Sequence, residues 1–65
     1  MNRVTFLYHP ILDVTIVIKR KDGKETTIQV FGENAHLISE FEKNLSISGG
    51  IPSGWVEAGF VTTRN

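Results

Sequence analysis

The sequence predicts an α+β fold, with a small antiparallel sheet, one helix packed on one face, and the element order β-β-β-α-β. Two runs of alternating apolar residues flank a turn signal, an apolar stripe with helical spacing follows, and the last segment is again rich in β-forming residues. No repeat, low-complexity tract or linker divides the 65 residues. We therefore expect a single domain over residues 1–65.

The first strand is predicted over Arg3–His9, which is rich in β-branched and aromatic residues. Pro10 cannot donate a hydrogen bond to a strand partner, and it restricts the preceding residue to an extended conformation. The strand should therefore end or bend at His9.

A β-hairpin is predicted over Leu12–Phe31, closing at Asp22-Gly23. Every second residue is apolar in Leu12–Ile18, and the same alternation returns in Thr26–Val30. Because a slip of one residue would turn the whole apolar set toward water, the register of this hairpin should be strongly specified.

The turn of this hairpin can be built in two ways. A two-residue Asp-Gly loop is the common choice, but it would pair Ile16 with Gln29 and so mix an apolar face with a polar one. We therefore expect a three-residue loop, Lys21–Gly23, with Gly23 in the left-handed position of a bulge. The cross-strand pairs would then be Ile16–Ile28, Val14–Val30 and Lys19–Glu25.

A helix is predicted over Ala35–Leu45, with Asn34 as its N-cap. Its apolar stripe is Leu37, Ile38, Phe41 and Leu45. A helix this short is marginal alone, so we expect it to depend on packing against the sheet.

The segment Ser46–Gly54 is rich in glycine and serine and predicts a loop, and Trp55–Thr63 predicts the last strand. A phosphate-cradling role is disfavoured for this loop, since it holds no basic residue and would leave the negative end of a helix dipole.

Composition excludes several classes of function. Seven basic residues balance seven acidic ones, so no global field attracts nucleic acid or an anionic membrane. The chain has no cysteine and two histidines, which excludes disulfides and disfavours a structural zinc site. No apolar run approaches the length of a membrane span. We expect a cytoplasmic protein with no metal, no cofactor, no small-molecule substrate and no membrane partner.

Catalysis finds little support in the residues. His9 and His36 are the side chains that titrate near neutral pH, with Asp13 close to the first and Ser39 three residues after the second. A catalytic site needs such groups to converge in a sheltered pocket, which this order of elements does not require. We predict no catalytic residue and no enzyme.

A protein interface is predicted on the sheet face that the helix leaves uncovered. Its expected apolar contacts are Val17, Phe31 and Trp55, and Ile51 could add a docking tip in the loop. The alternative is that these side chains are ordinary surface residues, or that the tryptophan and the loop pin the small core. A core of this size typically leaves roughly 3–5 kcal/mol of net stability, so the domain needs good packing or support from a second copy.

The predicted function is therefore a small non-enzymatic interaction module, or an accessory or inhibitor protein of the kind that phages and other mobile elements encode. It would bind another protein or itself, as a homodimer, through a sheet surface or an edge strand. The alternative is nucleic-acid binding by the basic hairpin tip, which acidic neighbours dilute and no aromatic residue interleaves. The tip residues are Lys19, Arg20, Lys21 and Lys24.

Overall fold

A computed structural model describes residues 2–38, 47 and 50–63 of the chain, and these residues build one four-stranded sheet. All neighbouring strands are antiparallel, in the order β3-β2-β1-β4. The strands are β1 (Asn2–His9), β2 (Val14–Lys21), β3 (Lys24–Phe31) and β4 (Val56–Thr63). The predicted strands and the presence of a hairpin that closes at Asp22-Gly23 are confirmed, and both edges of the sheet are strands that the sequence indicated.

The predicted helix is wrong. The structure has one turn of 3-10 helix at Ala35–Leu37, after which Ile38 is extended, with φ −78° and ψ 125°. The described residues contain no α-helix, so the α+β class with a helix packed on one face is replaced by an almost purely antiparallel β architecture. The remainder of the predicted helix, residues 39–45, lies outside the described residues.

A hydrogen bond and a difference in burial explain why no α-helix begins at residue 35. The Asn34 side chain makes no capping hydrogen bond, and its Nδ2 instead donates to the carbonyl oxygen of Leu12 at 2.8 Å. Leu37 and Ile38, neighbours on the predicted stripe, separate: Ile38 is 4% exposed in the core, whereas Leu37 is 58% exposed. A short helix is stabilised mainly by burying its stripe, and here extended backbone buries Ile38 instead.

The turn of the β2–β3 hairpin has two residues, so the three-residue loop is wrong. Lys21 pairs with Lys24, and Asp22 and Gly23 both have positive φ, at 54° and 78°. Positive φ at both central residues is the signature of the turn that Asp-Gly favours in two-residue hairpins.

The extra residue that the apolar pattern requires lies in the middle of β3. Ile18 pairs with Thr27, whereas Val17 pairs with Gln29, so Ile28 is bulged between them. Beyond the bulge, Ile16 faces Val30. The hairpin can therefore have the two-residue turn that Asp-Gly favours and still pair apolar residues of β2 with apolar residues of β3. This is possible because one bulge shifts the register by one position.

The three predicted cross-strand pairs are consequently wrong: the two-residue turn excludes Lys19–Glu25, and the turn and the bulge together exclude Ile16–Ile28 and Val14–Val30. The observed pairs that replace them are Ile16–Val30, Lys19–Thr26 and Arg20–Glu25.

One face of the sheet, which we call the covered face, carries the core. Its strand residues Leu7, Val14, Ile16 and Ile18 are at most 1% exposed, and Ile38 and Trp55 pack on them from outside the strands. Leu12, Val30 and Ile47 border this cluster. The last strand therefore lies where the sequence predicted it, but Trp55 precedes it and belongs to the core.

Gly32 allows the chain to leave β3 and cross toward this core. Its φ is +132°, and a Cβ at this position would lie 2.4 Å from the carbonyl oxygen of Asp13. Both the backbone conformation and the close approach therefore require glycine.

Candidate protein-interaction surface

The face opposite the core, which we call the open face, is lined by large apolar side chains. Side chains alternate along each strand and cross-strand partners share a face, so the register places Phe6, Val17 and Val61 away from the core. The apolar residues of the open face are Val4, Phe6, Val17, Ile28, Phe31, Val56 and Val61.

The apolar content of the open face exceeds what a solvated sheet face usually shows. Ile28, Phe31 and Val61 are 53%, 45% and 52% exposed, and Val56 is 50% exposed. Val17 lies among them and is only 5% exposed, although no described segment crosses this face as Ile38 and Trp55 cross the other. A solvent-facing antiparallel surface is normally mostly polar, so this patch has the composition of a contact surface.

Opposite charges occupy the two ends of the open face. At the hairpin end, Lys19, Lys21 and Lys24 surround an open concavity of about 520 Å³ together with Asp22, Thr26 and Ile28. We call these three lysines the lysine end. At the other end the carboxylate of Asp13 accepts a hydrogen bond of 2.8 Å from the hydroxyl of Tyr8. This bond raises the pKa of the tyrosine, and desolvation and the repulsion between two anions add to the shift.

The structure places the predicted interface residues on different surfaces. Val17 and Phe31 share the open face. Trp55 is 7% exposed in the core, where its ring meets that of His9 edge-on at 5.1 Å. Ile51 is 43% exposed and borders a cavity on the covered face. Trp55 and Ile51 are therefore not part of the open face.

Sequence reasoning missed Ile28 and Phe6 as members of this surface. The bulge in β3 turns Ile28 to the open face, whereas the expected pairing placed it in the core. Phe6 could have been found from the alternation within β1, because it lies between the buried residues Thr5 and Leu7.

The basic hairpin tip does not act as one surface. The lysine end belongs to the open face, but Arg20 pairs with Arg3 and Glu25 across neighbouring strands on the covered face. The four predicted nucleic-acid contacts are thus divided three to one between the two faces.

The histidines occupy separate places. His9 Nδ1 accepts a hydrogen bond of 3.2 Å from the backbone N–H of Leu12, and its ring packs on Trp55. His36 is exposed in the 3-10 turn. Ser39, the candidate partner of His36, lies outside the described residues. Within residues 2–38, 47 and 50–63, no three acidic or histidine side chains are grouped to hold a metal ion.

In the part of the chain that the structure describes, no helix has the length and apolar character needed to cross a membrane. The cytoplasmic location stays a prediction. Comparison of the chain with protein-family models, with curated proteins and with solved structures finds no match.

Proposed function

We propose that this chain is a non-enzymatic protein-interaction module that associates with a second copy of itself through the open face. The proposal is supported mainly by the apolar side chains of the open face. Ile28, Phe31 and Val61 are about half exposed, and they share this sheet surface with Val17. Packing it against a partner would remove this apolar area from water, the main driving force of protein association.

The distribution of charge favours a second copy as the partner. Two identical sheets can stack face to face about a two-fold axis that runs either along the strands or across them. An axis along the strands would set the lysine end on the partner's lysine end. An axis across the strands sets the lysine end over the partner's Asp13, so the open face is complementary to itself in the second orientation.

The size of the open face indicates a weak dimer. The molecule extends 32 × 18 × 18 Å, so one face covers roughly 580 Å² in projection, which is 32 Å by 18 Å. A standard stable interface buries about 800 Å² per partner. Association should therefore depend on protein concentration, and the free monomer should be observable on dilution.

Light scattering at two concentrations about a hundredfold apart tests the proposal. We expect monomer mass at the lower concentration and a rise toward twice that mass at the higher one. The substitution Ile28→Glu should abolish the rise, because it places a carboxylate within the apolar patch. The matched control is Leu37→Glu, since Leu37 is 58% exposed and Ile28 53% exposed, but Leu37 lies outside the open face.

Monomer mass at both concentrations would contradict the proposal. So would equal loss of association in the two variants, because a charge effect common to both sites would not report on the open face.

Nucleic-acid binding through the lysine end is the second candidate function, favoured by the convergence of Lys19, Lys21 and Lys24 on one concavity. Retention on heparin at low salt tests it, with the variant in which all three lysines are changed to glutamine. Equal retention of the variant and the natural protein would remove this candidate.

A further inference from the structure

Two arginines stand side by side at the hairpin end of the covered face. Arg3 of β1 and Arg20 of β2 are direct cross-strand partners, and both line a cavity of about 220 Å³. Like charges placed directly opposite each other destabilise an antiparallel pair, so this arrangement needs a compensating negative group.

The contacts that compensate the positive charge of this pair are made mainly by Arg3. The Arg3 guanidinium donates from Nη2 to Glu57 Oε1 at 3.2 Å, and its carbon lies 4.1 Å from the centre of the Phe60 ring. These two contacts hold the guanidinium of Arg3 in place. Glu25 pairs with Arg20 in the β2–β3 register, but its Oε2 accepts a hydrogen bond from the backbone N–H of Ile47 at 3.2 Å.

The Nε atoms of both arginines remain without a partner in the described part of the chain. Each is buried, and neither makes a hydrogen bond. Buried polar groups in proteins are nearly always paired, and these two unpaired donors belong to residues that line the same cavity.

The fold also brings the glycine-rich loop to this cavity. Gly50 and Ile51 line it together with the arginines and the buried Thr5. Phosphate binding was disfavoured for this loop because it contains no basic residue, but β1 and β2 supply two arginines that are distant from the loop in sequence.

We propose that the cavity between Arg3 and Arg20 binds a phosphate group, either free or as a monoester. Two guanidinium groups and one carboxylate leave a net positive charge in the lining. A phosphate carries about −1.5 to −2 at neutral pH and has three strong acceptor oxygens, enough to receive a forked pair of bonds from each arginine. The cavity of about 220 Å³ has room for such a group, and the arginines are the lining residues that would recognise it.

This site is independent of self-association. The arginine pair lies on the covered face, and the proposed dimer uses the opposite one. Titration of the whole chain with inorganic phosphate, followed by ¹⁵N–¹H NMR, tests the proposal directly, because the Nε–H signals of the two arginines report their own hydrogen bonds. We expect both signals to shift and saturate with phosphate, and not with sodium chloride at equal ionic strength.

Three variants distinguish specific phosphate binding by the two arginines from non-specific attraction to positive charge. Arg20→Lys keeps the charge but loses the fork, and should weaken phosphate binding about tenfold. Lys21→Gln removes a charge from the open face and should leave binding unchanged. Glu57→Gln frees Arg3 from its competing carboxylate and should tighten binding several-fold, an effect that a purely structural role for Glu57 would not produce.

Phenyl phosphate and acetate complete the comparison. Binding of the monoester as tightly as of free phosphate, with acetate much weaker, supports the proposal. It is overturned by shifts that fail to saturate, by equal shifts with chloride, or by unchanged binding in Arg20→Lys. Each of these results leaves the mass measurements on the open face unaffected.

Discussion

Val17 and Ile18 are adjacent in β2, yet they serve the two faces of the sheet in different ways. Ile18 is buried beneath a core that includes residues outside the strands, Ile38 and Trp55. Val17 is nearly as buried, at 5% exposure, but the residues around it on the open face are about half exposed. One face therefore completes its apolar packing within the chain, whereas the other has an apolar centre with an exposed border.

The charged groups of the two faces also differ in how far they are held by contacts within the chain. On the covered face, the guanidinium of Arg3 is oriented by the ring of Phe60 and the carboxylate of Glu57. Lysines on the open face surround a concavity in which Asp22 is the acidic member. Arginine offers a planar, directional fork, and lysine a mobile point charge. We therefore assign specific anion recognition to the covered face and long-range attraction to the open face.

The largest expected effect comes from truncating the same residue type on the two faces. Ile16 is 0% exposed on the covered face, and Ile28 is 53% exposed on the open face. Ile16→Ala should lower the free energy of unfolding by about 2–5 kcal/mol, because it removes apolar contacts and leaves a cavity. Ile28→Ala should lower it by less than about 1 kcal/mol when measured on dilute monomer.

Urea unfolding followed by Trp55 fluorescence measures both values. In a domain this small the first variant is expected to be largely unfolded without denaturant. Equal losses in the two variants would show that the open face is covered in the monomer, and the distinction between the faces would be lost.

The next effect concerns the connection that leads from β3 toward the core. Gly32→Ala should destabilise the fold by about 2 kcal/mol or more, since φ is +132° and the added Cβ would meet the Asp13 carbonyl oxygen at 2.4 Å. Gly23→Ala is the control, because its φ is +78° but no atom lies within 4 Å of the added Cβ. Its loss should be about 1 kcal/mol, from backbone conformation alone.

Thermal unfolding of the two glycine variants decides the point. A loss at Gly32 no greater than that at Gly23 would mean that the close approach to Asp13 is not maintained in solution.

Alternation in the sequence was sufficient to predict the strands and to place Val17 and Phe31 together on one face. It could not locate the bulge, because an extra residue in the turn would place Ile16 opposite Ile28, an extra residue at Ile28 places it opposite Val30, and both partners are apolar. The stripe that begins at Leu37 was equally ambiguous. A short apolar run is compatible with a helix or with extended chain, and packing of Ile38 in the core selects the latter.

The arginine pair lay beyond sequence reasoning for a different reason. Arg3 and Arg20 are on separate strands, and only the β1–β2 register makes them neighbours. Gly50 and Ile51 join them through tertiary packing that no local pattern encodes. The alternation of apolar residues therefore predicted the strands and most of their faces. The cavity and the position of Ile28 on the open face instead depend on the register between strands.

The orientation of the proposed dimer gives the next smaller effect. Asp13 and Asp22 lie at opposite ends of the open face, and both have positive φ, at 55° and 54°, a conformation that asparagine tolerates. With the two-fold axis across the strands, Asp13→Asn removes attraction to the partner's lysine end and should weaken the dimer a few-fold at low salt. Asp22→Asn should tighten it by a similar factor.

Sedimentation or light scattering over a concentration series measures both changes, and each should fade at high salt because exposed charges are screened. The opposite pair of signs would indicate an axis along the strands. Such a result would correct the orientation but retain the open face as the interface.

The smallest effect is the pH dependence of the folding stability that comes from Tyr8, the single tyrosine of the chain. Its hydrogen bond to Asp13 raises its pKa above the ordinary value of 10.0. A group whose pKa is raised by folding contributes stability that is fully present below the unfolded pKa and is lost as the pH rises through the folded one. We therefore expect this contribution below about pH 10 and its loss at higher pH.

Ultraviolet difference absorbance of the phenolate follows this titration without interference from another tyrosine. Asp13→Asn should return the pKa of Tyr8 toward its ordinary value, whereas Asp22→Asn should leave it unchanged. A tyrosine that titrates identically in both variants would contradict the contact that ties the acidic group to the open face. In that case the charge asymmetry of this face, and with it the preference for one dimer orientation, would lose its basis.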